Sequence, residues 1–180
     1  MNSAAAPAPA PARPARDEDR RLSAAWHALA SVDDPEIPAL SIVDLGLIRG
    51  VKVRSDGRLE VGLSPTYVGC PATDVIRQSV EAVLKDAGIG DFTVTHVLSP
   101  AWSSDWITAA GRRKLQSYGI VPPEHSGASM RELVRGVRPV NCPRCSSADT
   151  ESLSEFGSTP CKSLHRCRAC LEPFESFKCL

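Results

Sequence analysis

The chain has 180 residues, which is enough for about one ordinary domain and a small additional module. Lysine and arginine total 21 and aspartate and glutamate also total 21, so the zero net charge argues against binding to nucleic acid or membrane through bulk charge. No apolar run has the length of a membrane span, and the first residues lack the apolar stretch of a secretory signal, which together predict a cytoplasmic protein.

The chain is expected to open with a disordered tail followed by one helix. Residues 1–16 are almost entirely Ala and Pro, a composition that cannot bury a core. Apolar residues then lie at helical spacing within 17–33, and the proline at position 35 disfavours further helix. We therefore predict a tail up to residue 16 and a folded domain over 17–120.

Two strands, a helix, a third strand and a third helix are predicted in the rest of that domain. Runs of branched residues are typical of strands, and a Ser-Asp-Gly turn between the first two predicts a hairpin. Apolar residues at helical spacing predict the central helix, which a glycine closes. The elements are a strand at 48–54, a strand at 59–63, a helix from Ala72 to Gly88, a strand at 92–98 and a helix capped by Ser104. The order α-β-β-α-β-α predicts an α+β fold.

The last forty residues contain two C-x-x-C units, formed by Cys142, Cys145, Cys167 and Cys170. The 21 residues between the units are enough for a hairpin that brings the two turns face to face. Four thiolates in such turns close a tetrahedral shell around Zn²⁺, and the metal supplies folding free energy that so small a core lacks. We therefore predict a zinc ribbon over 141–180, preceded by a linker of low order over 121–140.

Three other residues near the second unit could replace one of those thiols as a metal ligand. They are Cys161, His165 and Cys179. The alternative to a metal site is a pair of disulfides, which a reducing compartment disfavours. The seven cysteines are an odd number, so at least one thiol stays unpaired if disulfides form.

A second candidate site lies in the first domain. Cys70 is in a Gly-Cys-Pro sequence just before the central helix, where the helix dipole and unsatisfied N–H groups favour a thiolate that could react or bind metal. The alternative is a small buried apolar side chain. Asp34 and Glu36 lie in a loop bracketed by prolines that could hold ligands rigidly. The alternative is that Asp33 or Asp34 only ends the first helix and that Glu36 is solvated.

Enzymatic motifs are missing from the sequence. It contains no glycine-rich phosphate loop and no convincing set of nucleophile, base and acid, which disfavours a thiol-dependent enzyme. Trp102 and Trp106 flank the start of the predicted third helix. They either fill the core or, if exposed, form an aromatic patch for a partner.

Several segments resemble known families. In the first domain, Asp-Pro-Glu-Ile-Pro at 34–38, Ser-Ile-Val-Asp-Leu-Gly-Leu-Ile at 41–48 and Thr-Tyr-Val-Gly-Cys-Pro at 66–71 resemble the MIP18 family of iron–sulfur assembly proteins, formerly a domain of unknown function. The C-terminal module, with Phe-Gly-Ser-Thr at 156–159 and Glu-Pro-Phe at 172–174, resembles the PaaD (or PaaJ) family of bacterial phenylacetyl-CoA epoxidase systems. Together the resemblances cover nearly the whole chain outside the tail.

The resemblance implies an accessory protein of aerobic phenylacetate degradation, not itself catalytic, that helps to assemble iron–sulfur or metal centres in 1,2-phenylacetyl-CoA epoxidase. Cys70, Asp34 and Glu36 match the family's motifs and are the residues expected to take part in iron or cluster transfer. Zinc is expected as a structural cofactor, with iron or an iron–sulfur cluster bound transiently. The expected partners are the other epoxidase components, notably the iron–sulfur reductase, and a homodimer would supply two copies of Cys70. The alternative is a non-catalytic structural subunit of the epoxidase complex.

Overall fold

The computed structural model describes residues 14–123 and 140–179, with side chains from residue 17 onwards. The tail predicted over 1–16 lies mostly outside these ranges, as does most of the linker predicted over 121–140. None of the helices in the described ranges is long and apolar enough to cross a membrane.

The first domain combines a small sheet with three helices. Strands β1 and β2 form the predicted antiparallel hairpin, and β3 pairs in parallel with β2, so the sheet order is β1-β2-β3. Helix α1 packs against α2 and β1. The elements are α1 Pro14–Leu29, β1 Ile48–Val53, β2 Leu59–Leu63, α2 Ala72–Asp86, β3 Phe92–His96 and α3 Ala109–Ser117. The predicted α+β class and element order are confirmed.

The beginning of the third helix differs from the prediction that Ser104 caps it. Ser104 belongs instead to a separate 3₁₀ turn, Ser104–Trp106, in which the Ser103 side chain accepts a hydrogen bond from the backbone N–H of Asp105. Helix α3 starts after an extended residue, Thr108, whose hydroxyl accepts from the Gly111 N–H at 2.9 Å. Each hydroxyl accepts a hydrogen bond from a backbone N–H at the start of a helical segment. The sequence therefore contains two caps, one for the 3₁₀ turn and one for α3, where the prediction had a single cap.

The C-terminal module is a zinc ribbon whose sheet includes a strand from the first domain. Strands β5, β6 and β7 are antiparallel neighbours, and the two-residue strand β4, directly after α3, pairs in parallel with β7. The sequence analysis did not predict β4, because two residues are too few to show a period. These strands are β4 Ile120–Val121, β5 Thr150–Ser154, β6 Lys162–Cys167 and β7 Pro173–Phe177.

The ribbon also contributes side chains to the core of the first domain. Phe177 and Cys161 are buried in that core, and the ring of Phe177 lies 6.0 Å from the ring of Trp102. Trp102 is buried, and its indole N–H donates to the Leu45 carbonyl at 3.0 Å, so it fills the core. Trp106 is half-buried, with the Arg49 guanidinium carbon 3.1 Å from its ring centroid. Neither tryptophan is therefore exposed, as the predicted aromatic patch would require.

Candidate metal sites

The four C-x-x-C thiols meet at one end of the ribbon. The turn 143–145 and the turn after β6 bring their sulfurs together, with Sγ–Sγ distances of 3.5 Å between Cys145 and Cys167 and 3.7 Å between Cys142 and Cys170. All four sulfurs lie within 4.8 Å of one another. Four converging thiolates suit a tetrahedral ion of the zinc type, so the donor set fits the metal that a ribbon requires. The four thiols form a metal-binding cluster.

Backbone groups prepare this cluster for a cation. The N–H of Cys170 points at the Cys167 sulfur at 3.4 Å, and this hydrogen bond lowers the pKa of the Cys167 thiol to about 7. A backbone hydrogen bond at Ser147 also lowers the pKa of Cys145, but hydrogen bonds with the thiols of Cys167 and Cys170 outweigh it and raise that pKa to about 12. A cation is therefore needed to release all the thiol protons. The N–H of Cys142 donates to the Ser147 carbonyl at 2.9 Å and closes the first turn. Cys142 and Cys167 are buried beside Phe174 in a core separate from that of the first domain. The ribbon thus shields two of its four sulfurs from water.

The three alternative ligands lie outside the four-thiol cluster. His165 is buried, stacks on Phe174 with ring centroids 5.5 Å apart, and shares a 2.9 Å hydrogen bond with the Ser163 hydroxyl. Cys179 is exposed. Cys161 is buried in the core of the first domain, on the side of the ribbon that faces Cys70. None of these three side chains therefore belongs to the group of four thiols that could hold the ribbon's metal ion.

A cleft lies between the first domain and the ribbon. Its enclosed free volume is about 20 Å³, which is room for about one water molecule or one ion. Its lining contains two thiols, two carboxylates and three hydroxyl-bearing residues near one another, among apolar side chains. These polar residues are Cys70, Cys161, Asp34, Glu36, Ser64, Thr66 and Thr73.

Cys70 is half-buried in the loop between β2 and α2, where its carbonyl accepts the Thr73 N–H at 3.1 Å. No side chain caps the N-terminus of α2, so the helix end beside Cys70 keeps backbone donors that a side chain would otherwise satisfy. Desolvation and the adjoining Cys70 raise the pKa of Tyr67 to about 12. That phenol therefore stays protonated and can donate to the sulfur.

The two carboxylates of the cleft differ in their roles. Asp34 is buried, and its Oδ1 accepts the N–H groups of Glu36 at 2.9 Å and Ile37 at 2.8 Å, so it builds the loop as well as lining the cleft. Burial raises the pKa of Asp34, and this effect outweighs the two hydrogen bonds, which lower it. Burial and the neighbouring Asp34 also raise the pKa of Glu36, which is less buried. Two crowded carboxyl groups favour a cation between them.

Cys161 comes from the turn before β6 and is 4% exposed. Its Sγ lies 3.0 Å from the Thr159 hydroxyl, and its carbonyl accepts the Lys178 N–H at 2.9 Å. Burial raises the pKa of this thiol, and Glu36 and Asp34 raise it further, against the effects of Thr159 and Lys162. Without a cation, Cys161 therefore keeps its proton, and a bound cation would favour its release.

Lys162, next to Cys161, places a positive charge at the junction of the two modules. Its side chain is 3% exposed, and Nζ lies 2.9 Å from Glu175 Oε2. Its charge also lowers the pKa values of Asp34 and Glu36, although burial outweighs it at both. Sequence reasoning did not predict that Cys161 and Ser64 line this cleft, because no local pattern relates the ribbon turn to the loop of Cys70.

The ribbon cluster and the cleft differ in the distances between their possible metal-ligand atoms. In residues 14–123 and 140–179, the ribbon thiols are the only set of three or more His, Cys, Asp or Glu ligand atoms that all lie within 4.8 Å of one another. The thiols and carboxylates of the cleft do not form such a set. A closed shell suits a permanent structural ion, whereas a wider one suits an ion that enters and leaves.

Comparison with known proteins gives the family. Residues 22–97 match the model of an iron–sulfur cluster assembly protein, and residues 126–178 match that of the PaaD zinc β-ribbon domain. A putative 1,2-phenylacetyl-CoA epoxidase subunit from Escherichia coli is 43% identical over 155 residues, which cover 86% of this chain and 91% of that protein. The chain belongs to the PaaD family. This PaaD protein thus joins a MIP18-type assembly domain to a zinc ribbon.

Other relatives of this PaaD protein align with only about half of the chain, as the following two show. An Fe-S protein maturation auxiliary factor from Porphyromonas gingivalis is 35% identical over 81 residues, covering 44% of this chain and 76% of that protein. The crystal structure of a domain of unknown function, DUF59, from Bacillus anthracis aligns with a TM-score of 0.52 at 25% identity. That alignment covers 56% of this chain and 96% of that one. The cleft therefore lies between a domain that these relatives share and a ribbon that matches the PaaD ribbon model.

Proposed function

We propose that this protein is a non-catalytic assembly factor of a 1,2-phenylacetyl-CoA epoxidase system, and that it carries iron or an iron–sulfur cluster at Cys70. The observation that supports this most directly is the position of Cys70, half-buried at a helix start in a cleft lined by Asp34 and Glu36. Thiolate and carboxylate are ligands that iron accepts. The names of the relatives, an epoxidase subunit and an Fe-S maturation factor, point to the same system.

A carrier must release its cargo, and the cleft suits that requirement. One or two thiolates with carboxylates hold iron less tightly than four converging thiolates do. The lining of the cleft includes no histidine that could act as a base for Cys70, which argues for transport of a metal over thiol-dependent catalysis. The iron–sulfur reductase of the epoxidase is the proposed recipient.

The ribbon is proposed to hold zinc as a structural ion. Four thiolates leave no open position for a substrate, and zinc has no redox chemistry that would disturb a neighbouring iron site. The core around Cys142, Cys167 and Phe174 is small, so the bound ion would supply much of the module's folding free energy. Zinc in the ribbon and iron in the cleft would then have separate roles.

Replacement of Cys70 tests the carrier function. We expect Cys70→Ser to leave the free energy of unfolding within about 1 kcal/mol of the wild type, because a hydroxyl replaces a half-buried thiol without opening a cavity. Growth on phenylacetate and the iron content of the co-expressed reductase component should both fall sharply. Cys179→Ser, an exposed thiol outside both sites, is the matched control. Normal growth and full iron loading with Cys70→Ser would show that Cys70 has only a packing role and does not carry iron.

A stable structural component of the epoxidase complex is the second candidate function, and the name of the Escherichia coli relative, an epoxidase subunit, favours it. The two functions differ once the metal has been installed. If the protein is a carrier, epoxidase components whose iron centres have been rebuilt chemically should turn over phenylacetyl-CoA without it. If the protein is a structural component, activity should return only when it is added, because chemical iron cannot replace a lost interface.

A further inference from the structure

The ribbon supplies a second sulfur to the site of Cys70. We propose that Cys161 is a ligand of the metal cargo together with Cys70, so that iron binds between the assembly domain and the ribbon. This inference rests on the proposed carrier function and extends it by naming a ligand from another module. The cargo in question is a thiophilic ferrous ion, bound by two thiolates with oxygen ligands completing the shell.

The location of Cys161 separates it from the ribbon's own metal cluster. It is buried with the apolar core of the first domain, whereas Cys142 and Cys167 lie in the second core. The four-thiol cluster is complete without it. A fifth ribbon cysteine therefore points away from the ribbon's ion and into the same cleft as Cys70.

A buried hydroxyl in the cleft is an independent sign that something binds there. Ser64 is 1% exposed and lines the cleft, and its Oγ has no hydrogen-bond partner among the described residues. A buried hydroxyl without a partner costs about 1–3 kcal/mol, which a native protein tolerates where a ligand or a water supplies the missing bond. An iron ion's coordinated water would supply that partner for Ser64.

The ribbon holds Cys161 firmly enough for it to serve as a ligand. Backbone bonds from Lys178 to Cys161 (2.9 Å) and from Lys162 to Thr159 (3.1 Å) fix the turn on both sides of the sulfur. The contact of Phe177 with Trp102 joins the same end of β7 to the first domain. The position of Cys161 relative to Cys70 is thus set by packing between the modules.

Ferrous iron added anaerobically to the full zinc-loaded chain tests the proposal. Zinc in the ribbon keeps the added iron out of that cluster, and zinc analysis of each sample verifies this. X-ray absorption at the iron edge should count two sulfur ligands in the wild type. Cys161→Ser and Cys70→Ser should each leave one sulfur and weaken iron binding about ten-fold or more, while Cys179→Ser should match the wild type.

The outcomes separate the inference from the function on which it rests. One sulfur at iron in the wild-type protein overturns the inference, and this measurement does not depend on whether any variant folds. Two sulfurs that persist in Cys161→Ser, but not in Cys70→Ser, also overturn it, because two Cys70 thiols from a homodimer would then account for them. If neither variant affects iron binding, the carrier function itself fails.

Discussion

Asp44 shows how one side chain joins distant segments of the first domain. Its carboxylate accepts hydrogen bonds from the hydroxyls of Ser41 at 3.0 Å and Thr108 at 3.3 Å, and from Lys114 Nζ at 2.5 Å. Burial alone would raise its pKa, but the bonds from Lys114 and Ser41 hold the pKa of Asp44 below its usual range. The loop after α1 is thereby linked to both the cap and the body of α3.

Asp44→Asn should lower the free energy of unfolding by about 2 kcal/mol at neutral pH, because an amide cannot replace these charged hydrogen bonds. The folded-state pKa of Asp44 lies below the unfolded one, so its contribution is present above the unfolded pKa and is lost as the pH falls through the folded pKa. Denaturant titrations over a series of acid pH values should therefore show the difference between wild type and variant shrinking.

The control for this prediction is Asp74→Asn, which removes an exposed carboxylate that contacts only Arg77 at 3.8 Å among the ion pairs of the described residues. Exposed ion pairs contribute little, so this variant should change the stability by less than about 1 kcal/mol. A deficit in Asp44→Asn that stays constant down to the lowest pH would contradict the assigned charge interaction.

At the scale of elements, two glycines allow α3 and the turn before it to approach the loop 44–46. A β-carbon at Gly111 would lie 2.7 Å from the Asp44 carbonyl oxygen, and one at Gly46 would lie 2.5 Å from the Trp106 carbonyl oxygen. Gly46 also has a φ of +68°, which other residues rarely adopt. Both contacts are with backbone, which cannot move aside as a flexible side chain can.

The substitution Gly111→Ala has two opposite effects on stability, one from helix propensity and one from packing. Propensity alone favours alanine inside α3 by about 1 kcal/mol, but the contact with a backbone carbonyl should outweigh this and destabilise the protein by about 1–3 kcal/mol net. Thermal or denaturant unfolding measures the sign. Gly90→Ala, where nothing lies within 4 Å of the added carbon, should change the stability by less than about 1 kcal/mol. A stabilised Gly111→Ala would show that α3 moves away freely.

At the scale of the whole molecule, the ribbon and the assembly domain are joined by pairing and by packing. Strand β4 leaves the first domain and pairs with β7, so one sheet contains backbone from both modules. Phe177, at the end of β7, is 2% exposed in the first domain's core. The ribbon's place in the molecule thus depends on apolar burial as well as on its metal.

Phe177→Ala should separate these two contributions. Removing the ring from a buried site should lower the free energy of unfolding by about 3–5 kcal/mol, while the zinc content of the ribbon stays stoichiometric. The emission of Trp102, which loses its ring neighbour, should shift toward that of a hydrated indole. Phe156→Ala removes a ring that is 63% exposed and should cost less than about 1 kcal/mol. Equal losses in both variants would mean that Phe177 does not dock the ribbon.

The sequence alone determined the features that depend on local pattern. The hairpin of β1 and β2 follows from branched runs around a turn, and α2 follows from apolar spacing behind Cys70. The four ribbon thiols meet as their spacing predicts, since each C-x-x-C turn presents both sulfurs on one side and a short hairpin joins the turns. Each of these features can be predicted because the residues that specify it lie within one element or one short hairpin.

Only the tertiary structure decided where the ribbon lies and what it adds to the site. Cys161 was an alternative zinc ligand by sequence, and the structure places it in the cleft of Cys70, beside Ser64 and Glu36. Trp102 could have been a surface for a partner, and its burial depends on Phe177 from the far end of the chain. Such contacts join segments distant in sequence, and they arise from shape, apolar burial and the pairing of β4 with β7, none of which a local period encodes.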